Sequence, residues 1–172
     1  MKIFKTIAAA ALMTLTVLTG SYHAQARPDH IAEPERWIIR NDGGGNVMNF
    51  MESLDYMRKN NMAVKVGGYC ASACTLILST DYKIDVCLMP DVKFGFHQPY
   101  AMDGLGRIYY TIPFVVQAEK LWRELFYAKY PTFVQKMIDA HGGVPAVYKG
   151  RTPDSVLWLN YEDLKPFIKT CL

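Results

Sequence analysis

The stretch that most constrains the fold runs over residues 64–78, where a β-branched segment leads into small residues and then into an apolar run. Val64 and Val66 are typical of a strand. The glycines and alanines that follow favour a tight turn, and the apolar run after them favours a buried helix. Ser72 stands in that turn. Its hydroxyl is therefore expected to project out of the sheet, beside backbone N–H groups that are free to bind an anion.

A nucleophilic serine requires this arrangement, an exposed oxygen with an oxyanion donor beside it. The amide of Ala73, directly after Ser72, is the candidate donor. The structural interpretation of the same serine is a helix N-cap, which is its commoner use. A base and a second donor elsewhere in the chain would favour the catalytic interpretation.

The first 26 residues have the pattern of a secretory signal peptide. A positively charged start precedes an apolar run over residues 7–18, and Ala24-Gln25-Ala26 provides a small-residue cleavage site after Ala26. The apolar run is short for a membrane span, and an uncleaved anchor is the alternative. We expect residues 1–26 to be a cleaved leader and residues 27–172 to form a single domain, periplasmic or secreted.

Composition gives little support for a nucleic-acid partner. The net charge is only +3 over 172 residues, and no basic patch or run stands out. Hydrophobic residues make up 51% of the chain, which is typical of a globular domain and not of a disordered segment.

All four cysteines follow the predicted leader: Cys70, Cys74, Cys87 and Cys171. An even number in an exported chain favours disulfides, but the sequence does not choose among the three possible pairings. The alternatives are free thiols, or a metal site formed by Cys70, Cys74 and Cys87 with His97.

Predicted strands alternate with predicted helices. Residues 27–35 predict a surface lead-in, and after them a strand, a glycine-rich turn and a helix precede the strand that feeds Ser72. The alternation predicts an α/β fold with a mostly parallel sheet and right-handed βαβ crossovers. The later elements are two strands over 86–90 and 92–97, helices over 112–126 and 132–140, a short helical turn over 161–164 capped by Asn160, and a last strand at Phe167-Ile168.

Three motifs resemble those of the Clp protease proteolytic subunit, a family within the wider crotonase-like fold. They are Asn41-Asp42-Gly43-Gly44-Gly45-Asn46-Val47, Gly68-Tyr69-Cys70-Ala71-Ser72-Ala73 and Phe96-His97-Gln98-Pro99. The motifs occur in the family's order, each at the end of a predicted strand, and the interval from Ser72 to His97 matches the family's. The resemblance covers about residues 37–168, and only the part up to Pro99 is specific.

The resemblance implies a crotonase/Clp-protease-like fold with a long helix after the histidine strand. It also implies a serine hydrolase, expected to be a peptidase that acts on a peptide or protein substrate. Ser72 would be the nucleophile and His97 the general base, and the N–H groups of Gly44 and Ala73 would form the oxyanion hole. The resemblance implies no metal and no organic cofactor.

The third member of the site is less well defined by the motifs. The family's aspartate position falls on Val156, whose side chain cannot orient an imidazole. The nearest carboxylate is Asp154, which we take as the predicted third residue, and Asp139 on a predicted helix is another candidate. A Ser-His dyad whose imidazole is held by another group is also open.

Two other functions are open on the sequence alone. The first is a catalytically inactive binding or assembly protein of the periplasm that keeps the fold. The second is a Ser-Lys enzyme with Lys65 or Lys93 as the base.

The partners follow from the same resemblance. Residues 107–130 occupy the place of a helix through which the family's subunits contact one another, so a homo-oligomer is possible, and core packing is the alternative. No ATP-dependent unfoldase is expected as a partner, because the compartment outside the cytoplasm holds no ATP.

Overall fold

A mixed, open sheet organises the protein. The computed structural model describes residues 31–33, 36–101, 105, 107, 108, 111–145 and 155–171. Within that part, six strands form one sheet in the order β1-β2-β3-β5-β6, with β4 also paired to β3. The strands are β1 (Ile31–Glu33), β2 (Arg36–Asp42), β3 (Ala63–Ala71), β4 (Asp85–Leu88), β5 (Lys93–Phe96) and β6 (Leu157–Asn160).

Strand directions differ between the centre and the ends of this sheet. The central strand β3 runs parallel to β2, β4 and β5, whereas β1–β2 and β5–β6 are antiparallel pairs. The expectation of a mostly parallel sheet therefore holds only around β3. The predicted lead-in also contains a strand, since Ile31 pairs with Ile38. A strand followed so closely by its neighbour can only pair with it antiparallel.

Four α-helices lie in the described residues: α1 (Val47–Lys59), α2 (Ile112–Leu121), α3 (Thr132–Ala140) and α4 (Tyr161–Leu164). The side chain of Asn46 caps α1 by accepting from the amides of Met48 and Asn49. Asn160 forms a capping box with Asp163 at α4. Both helix starts are confirmed, as is the predicted helix over 132–140.

Two helical predictions need correction. The pattern over 112–126 is an α-helix only as far as Leu121; a π-helical turn (Trp122–Phe126) and a 3₁₀ turn (Tyr127–Lys129) follow it. The predicted last strand at Phe167-Ile168 is wrong. The amides of both residues donate to Leu164 O, so the backbone continues the turn after α4 and does not extend.

The core lies between the sheet and the helices. Val64 and Val66 of β3 and Phe94 and Phe96 of β5 are buried among apolar side chains. The segment after α2 contributes three large buried rings, those of Trp122, Phe126 and Tyr130. For these three residues the core-packing interpretation of the segment 107–130 is confirmed.

All four cysteines form disulfides, Cys70–Cys74 and Cys87–Cys171, with Cα–Cα distances of 5.4 Å and 5.0 Å. The metal-site and free-thiol alternatives are therefore wrong. Two disulfides are typical of a protein outside the cytoplasm. Among the described residues, no helix is long and apolar enough to cross a membrane.

The Cys87–Cys171 crosslink should be a main contributor to stability, because it joins residues 84 positions apart. Replacing both cysteines with alanine should lower the free energy of unfolding by about 2–5 kcal/mol, since the unfolded chain is no longer restricted. Urea unfolding under non-reducing conditions measures the change. The single variant Cys171→Ala is the control, because it breaks the crosslink but leaves no cavity at buried Cys87. Its free energy of unfolding should fall by nearly as much. A loss below about 1 kcal/mol in both variants would contradict the prediction.

Candidate active site

Ser72 lies at a left-handed turn where β3 ends and a 3₁₀ helix (Ser72–Leu78) begins. Its φ is +56°, a region that residues with a Cβ seldom occupy. Every other residue of the 3₁₀ helix is buried, whereas Ser72 is partly exposed. The predicted buried helix is therefore present but 3₁₀, and it carries the serine at its exposed first position.

The Cys70–Cys74 disulfide spans this turn, with Ser72 midway between its two cysteines. Both cysteines are fully buried. The crosslink thus joins the end of the central strand to the 3₁₀ helix, with one cysteine on each side of the serine in sequence.

The glycine-rich turn after β2 packs directly on the serine turn. A Cβ at Gly44 would lie 2.6 Å from Ala71 O, 2.7 Å from Ala73 N and 2.7 Å from the Cβ of Ser72. Contacts this short exclude any side chain at Gly44, whose φ of +84° also favours glycine. The structure therefore brings the backbone of Gly44 and Ala73, the two predicted oxyanion donors, together beside Ser72.

Asp42 is a residue of this turn that the motif analysis missed. The Gly44 N–H donates to Asp42 Oδ1 over 2.8 Å, so one predicted oxyanion donor is already hydrogen-bonded. Asp42 is only 2% exposed, and among the described residues its Oδ2 has no hydrogen-bond partner. The Asp-Gly-Gly sequence was a signal for such a turn, because aspartate side chains often accept from the amide two residues on.

The next amide in the turn is differently placed. Gly45 is exposed, with a φ of +138°, and its N–H makes no hydrogen bond within the described part of the chain. In this turn the Gly44 amide is therefore engaged, whereas the Gly45 amide has no acceptor among the described residues.

His97 follows β5, and Ser72 follows β3, its parallel neighbour. Ala71 is paired with Gly95 in the β3–β5 register, so the two side chains lie at the same edge of the sheet. His97 is buried, at 8% exposure, and the Tyr100 ring stacks on it at 5.7 Å. In this conformation no hydrogen bond joins Ser72 to His97, both of which are described residues.

The partner of the His97 ring defines its tautomer. Nδ1 lies 2.8 Å from the backbone O of Gln98. A carbonyl oxygen can only accept, so Nδ1 carries the proton and Nε2 presents a lone pair. Burial lowers the pKa of His97 from its ordinary value of 6.5, with the Gln98 hydrogen bond acting in the opposite direction. The imidazole is therefore neutral at pH 7, the form that a general base needs.

The third predicted residue, Asp154, lies outside the described residues. Val156, which the sequence resemblance aligns with an aspartate, places Cγ1 only 2.8 Å from where a Cβ at Gly95 would lie, close to the histidine strand. Asp139 accepts a hydrogen bond of 2.6 Å from Tyr127 Oη. The partner that the described residues provide for the imidazole is thus a backbone carbonyl.

The alternative lysine base gains no support. The Nζ of Lys93 lies 4.6 Å from the centre of the Trp158 ring, a contact that a positive charge makes with an aromatic face. Lys65 projects from the first half of β3, paired with Ile38 and Cys87, and so lies several residues before the serine turn.

Comparison with known proteins finds similarity at the level of solved structures. No family model matches the sequence, and no curated protein matches it. Among solved structures, a mutant of ClpP1 from Listeria monocytogenes is similar over 78% of this chain and 70% of that chain, with 20% sequence identity and a TM-score of 0.40.

The buried carboxyl of Asp42 predicts a pH-dependent cost to stability. Burial raises its pKa from 3.8 to about 6, against the Gly44 hydrogen bond, which lowers it. The folded state therefore binds this proton more tightly than the unfolded state, so stability is lost as pH rises from about 4 through 6. Asp42→Asn keeps an acceptor for Gly44 but never ionises. Its advantage over wild type should grow by on the order of 2 kcal/mol between pH 4 and 7.

Urea unfolding at a series of pH values measures this difference, with Asp91→Asn at an exposed aspartate as the matched control. An Asp42→Asn advantage that stays constant across the range would refute the prediction.

Proposed function

We propose that this protein is an exported serine hydrolase, a peptidase of the Clp-protease-like, crotonase-fold type, with Ser72 as nucleophile and His97 as base. One observation carries the proposal. Ser72 stands at a left-handed turn with the Gly44 backbone against it, and His97 follows the neighbouring parallel strand at the same sheet edge. The predicted leader and the two disulfides support export to the periplasm or beyond.

The proposed chemistry is acyl transfer. Ser72 Oγ attacks the carbonyl carbon of the scissile amide while His97 Nε2 takes its proton, and the imidazolium then gives that proton to the leaving amine. Water attacks the resulting acyl-enzyme by the reverse sequence, releasing the carboxylate and restoring the hydroxyl. The Gln98 carbonyl, already bonded to Nδ1, would hold the ring during both transfers.

The oxyanion that forms at the substrate carbonyl needs two N–H donors. We propose Ala73, at the start of the 3₁₀ helix, and Gly44, which lies against it. Gly44 can serve only when its N–H leaves Asp42, whereas the amide of Gly45 is free of any acceptor among the described residues. Losing one such donor typically costs about 10²–10³ in rate.

We propose two alternatives for the group that holds the His97 imidazole. In the first, Asp154 completes a triad by accepting from the imidazole. In the second, the Gln98 carbonyl replaces the carboxylate and the site is a Ser-His dyad; the contact at Nδ1 favours this form.

The second candidate function is a non-catalytic binding or assembly protein of the same fold. The observation in its favour is that no hydrogen bond joins Ser72 to His97, both of which are described residues. A possible homo-oligomer is compatible with either function, since Val116 of α2 is 62% exposed.

A fluorophosphonate distinguishes the two functions, because it forms an adduct only with an activated serine. We expect one adduct on wild-type protein with intact disulfides, none on Ser72→Ala, and formation at least about 10²-fold slower on His97→Ala, the lower end of the effect typical of a lost general base. Intact-mass analysis over time measures all three.

Two matched controls test the specificity of that result. His141, whose Nδ1 likewise lies 2.8 Å from a backbone carbonyl, should be replaceable by alanine without effect. Ser79→Ala removes a buried serine at the other end of the 3₁₀ helix and should also react normally. No adduct on correctly folded wild-type protein would sink the hydrolase proposal and leave the binding protein.

The rate of adduct formation should depend on pH through His97. Because burial lowers the pKa of His97, the neutral base is retained below pH 6.5, and the rate should fall only at lower pH. The pH profile of the rate constant measures the midpoint. Asp42→Asn is the control, because burial raises the pKa of Asp42 to about 6. The midpoint should be unchanged in this variant if His97, and not Asp42, sets it. A midpoint above about pH 8 would point to a lysine base instead.

A further inference from the structure

A chain of two buried hydroxyls reaches the serine turn from a distant part of the sequence. Thr75 Oγ1 donates to the backbone O of Ser72 over 2.6 Å, and it also lies 2.5 Å from Tyr130 Oη. Since the Thr75 proton is directed to the Ser72 carbonyl, the Tyr130 hydroxyl is the donor to Thr75. Tyr130 comes from the segment between α2 and α3.

Burial makes this chain a rigid constraint. Thr75 and Tyr130 are 1% and 2% exposed, so water does not replace a lost partner. Burial also raises the pKa of Tyr130, which keeps its hydroxyl protonated as a donor. The chain holds the carbonyl of the residue whose φ is +56°, so it acts on the strained conformation that presents the Ser72 side chain.

The same tyrosine also contacts the histidine strand. Its ring meets the ring of Phe96 edge-on, with centroids 5.3 Å apart and an interplanar angle of 90°. Phe96 is the last residue of β5 and directly precedes His97. Tyr130 therefore contacts Thr75, which bonds to the Ser72 carbonyl, and Phe96, which directly precedes His97.

The segment that carries Tyr130 is itself anchored to the 3₁₀ helix. The amide of Thr80, just past that helix, donates to Lys129 O over 2.8 Å, and Lys129 Nζ lies 2.7 Å from Asp81 Oδ2. On the other side, Gln135 Nε2 donates to Tyr130 O over 2.8 Å. The backbone that carries Tyr130 is thus held on one side by the segment after the 3₁₀ helix and on the other by α3.

We infer that Thr75 and Tyr130 are positioning residues that hold Ser72 in its reactive conformation and set its distance from the histidine strand. The inference rests on the proposed function. Neither residue touches the reacting atoms. Both act through the Ser72 carbonyl, and Tyr130 acts also through Phe96.

The test compares Thr75→Val, Thr75→Ser and Tyr130→Phe with wild type in reaction with the fluorophosphonate. Thr75→Val removes both hydrogen bonds at nearly constant volume and should slow the first-order step of adduct formation by about 10–100-fold, as a small misplacement of a reacting group does. The concentration of probe at half-saturation should not change. Thr75→Ser restores the hydroxyl and should recover at least half of the wild-type rate. Tyr130→Phe should slow the step by about 3–10-fold, since the Thr75–Ser72 bond survives.

Tyr82→Phe is the matched control, because it removes a hydroxyl from another tyrosine of the same core. It should react at the wild-type rate. A second measurement is independent of activity: amide hydrogen exchange over Ala73–Leu76 should be faster in Thr75→Val and Tyr130→Phe than in wild type or Tyr82→Phe.

The outcomes separate this inference from the proposed function. If wild type reacts and both Thr75→Val and Tyr130→Phe react equally fast, with unchanged exchange, the positioning role is overturned and the hydrolase stands. If wild type does not react, the hydrolase proposal fails and takes the positioning role with it. If Thr75→Val does not fold, the reaction rate and the amide exchange of Tyr130→Phe decide alone. Tyr130→Phe is the milder change, because it leaves the Thr75–Ser72 bond in place.

Discussion

The contact between the Gly44 backbone and the turn at Ser72 is the constraint on which the site depends. It brings the end of β2 against the end of β3 at distances that no side chain could occupy. Because the two strands are parallel neighbours, their turns meet at one edge of the sheet, and His97 joins them from β5 on the other side of β3. The shared position of the proposed nucleophile, its proposed base and the candidate oxyanion donors is therefore a consequence of strand order.

Buried polar groups hold these turns in shape, each through a backbone partner. Asp42 accepts from the Gly44 amide, Thr75 donates to the Ser72 carbonyl, and His97 bonds the carbonyl of Gln98. A buried backbone group cannot form a hydrogen bond to water instead. Breaking one of these bonds therefore costs more free energy than forming it contributes. Asp42 is only half satisfied. Its Oδ2 has no hydrogen-bond partner among the described residues, and burial raises the pKa of the carboxyl to about 6.

The two disulfides act on different parts of this arrangement. Cys70–Cys74 joins residues only four positions apart on either side of Ser72, so it acts locally, on the strand-to-helix junction. Cys87–Cys171 joins β4 to the C-terminal segment, whose Cys171 amide also donates to Leu88 O. Disulfides of this kind form and persist in oxidising compartments outside the cytoplasm.

The sequence by itself determined the local elements. Helical spacing and the caps at Asn46 and Asn160 gave α1, α3 and α4, since these signals act within a few residues. The site motifs placed Ser72 and His97 at strand ends for the same reason. Only the tertiary structure decided the cysteine pairing, the antiparallel outer strands, the bond from Asp42 to Gly44 and the approach of Tyr130 to Thr75. These depend on which distant segments meet, and residue type and spacing along the chain do not encode that.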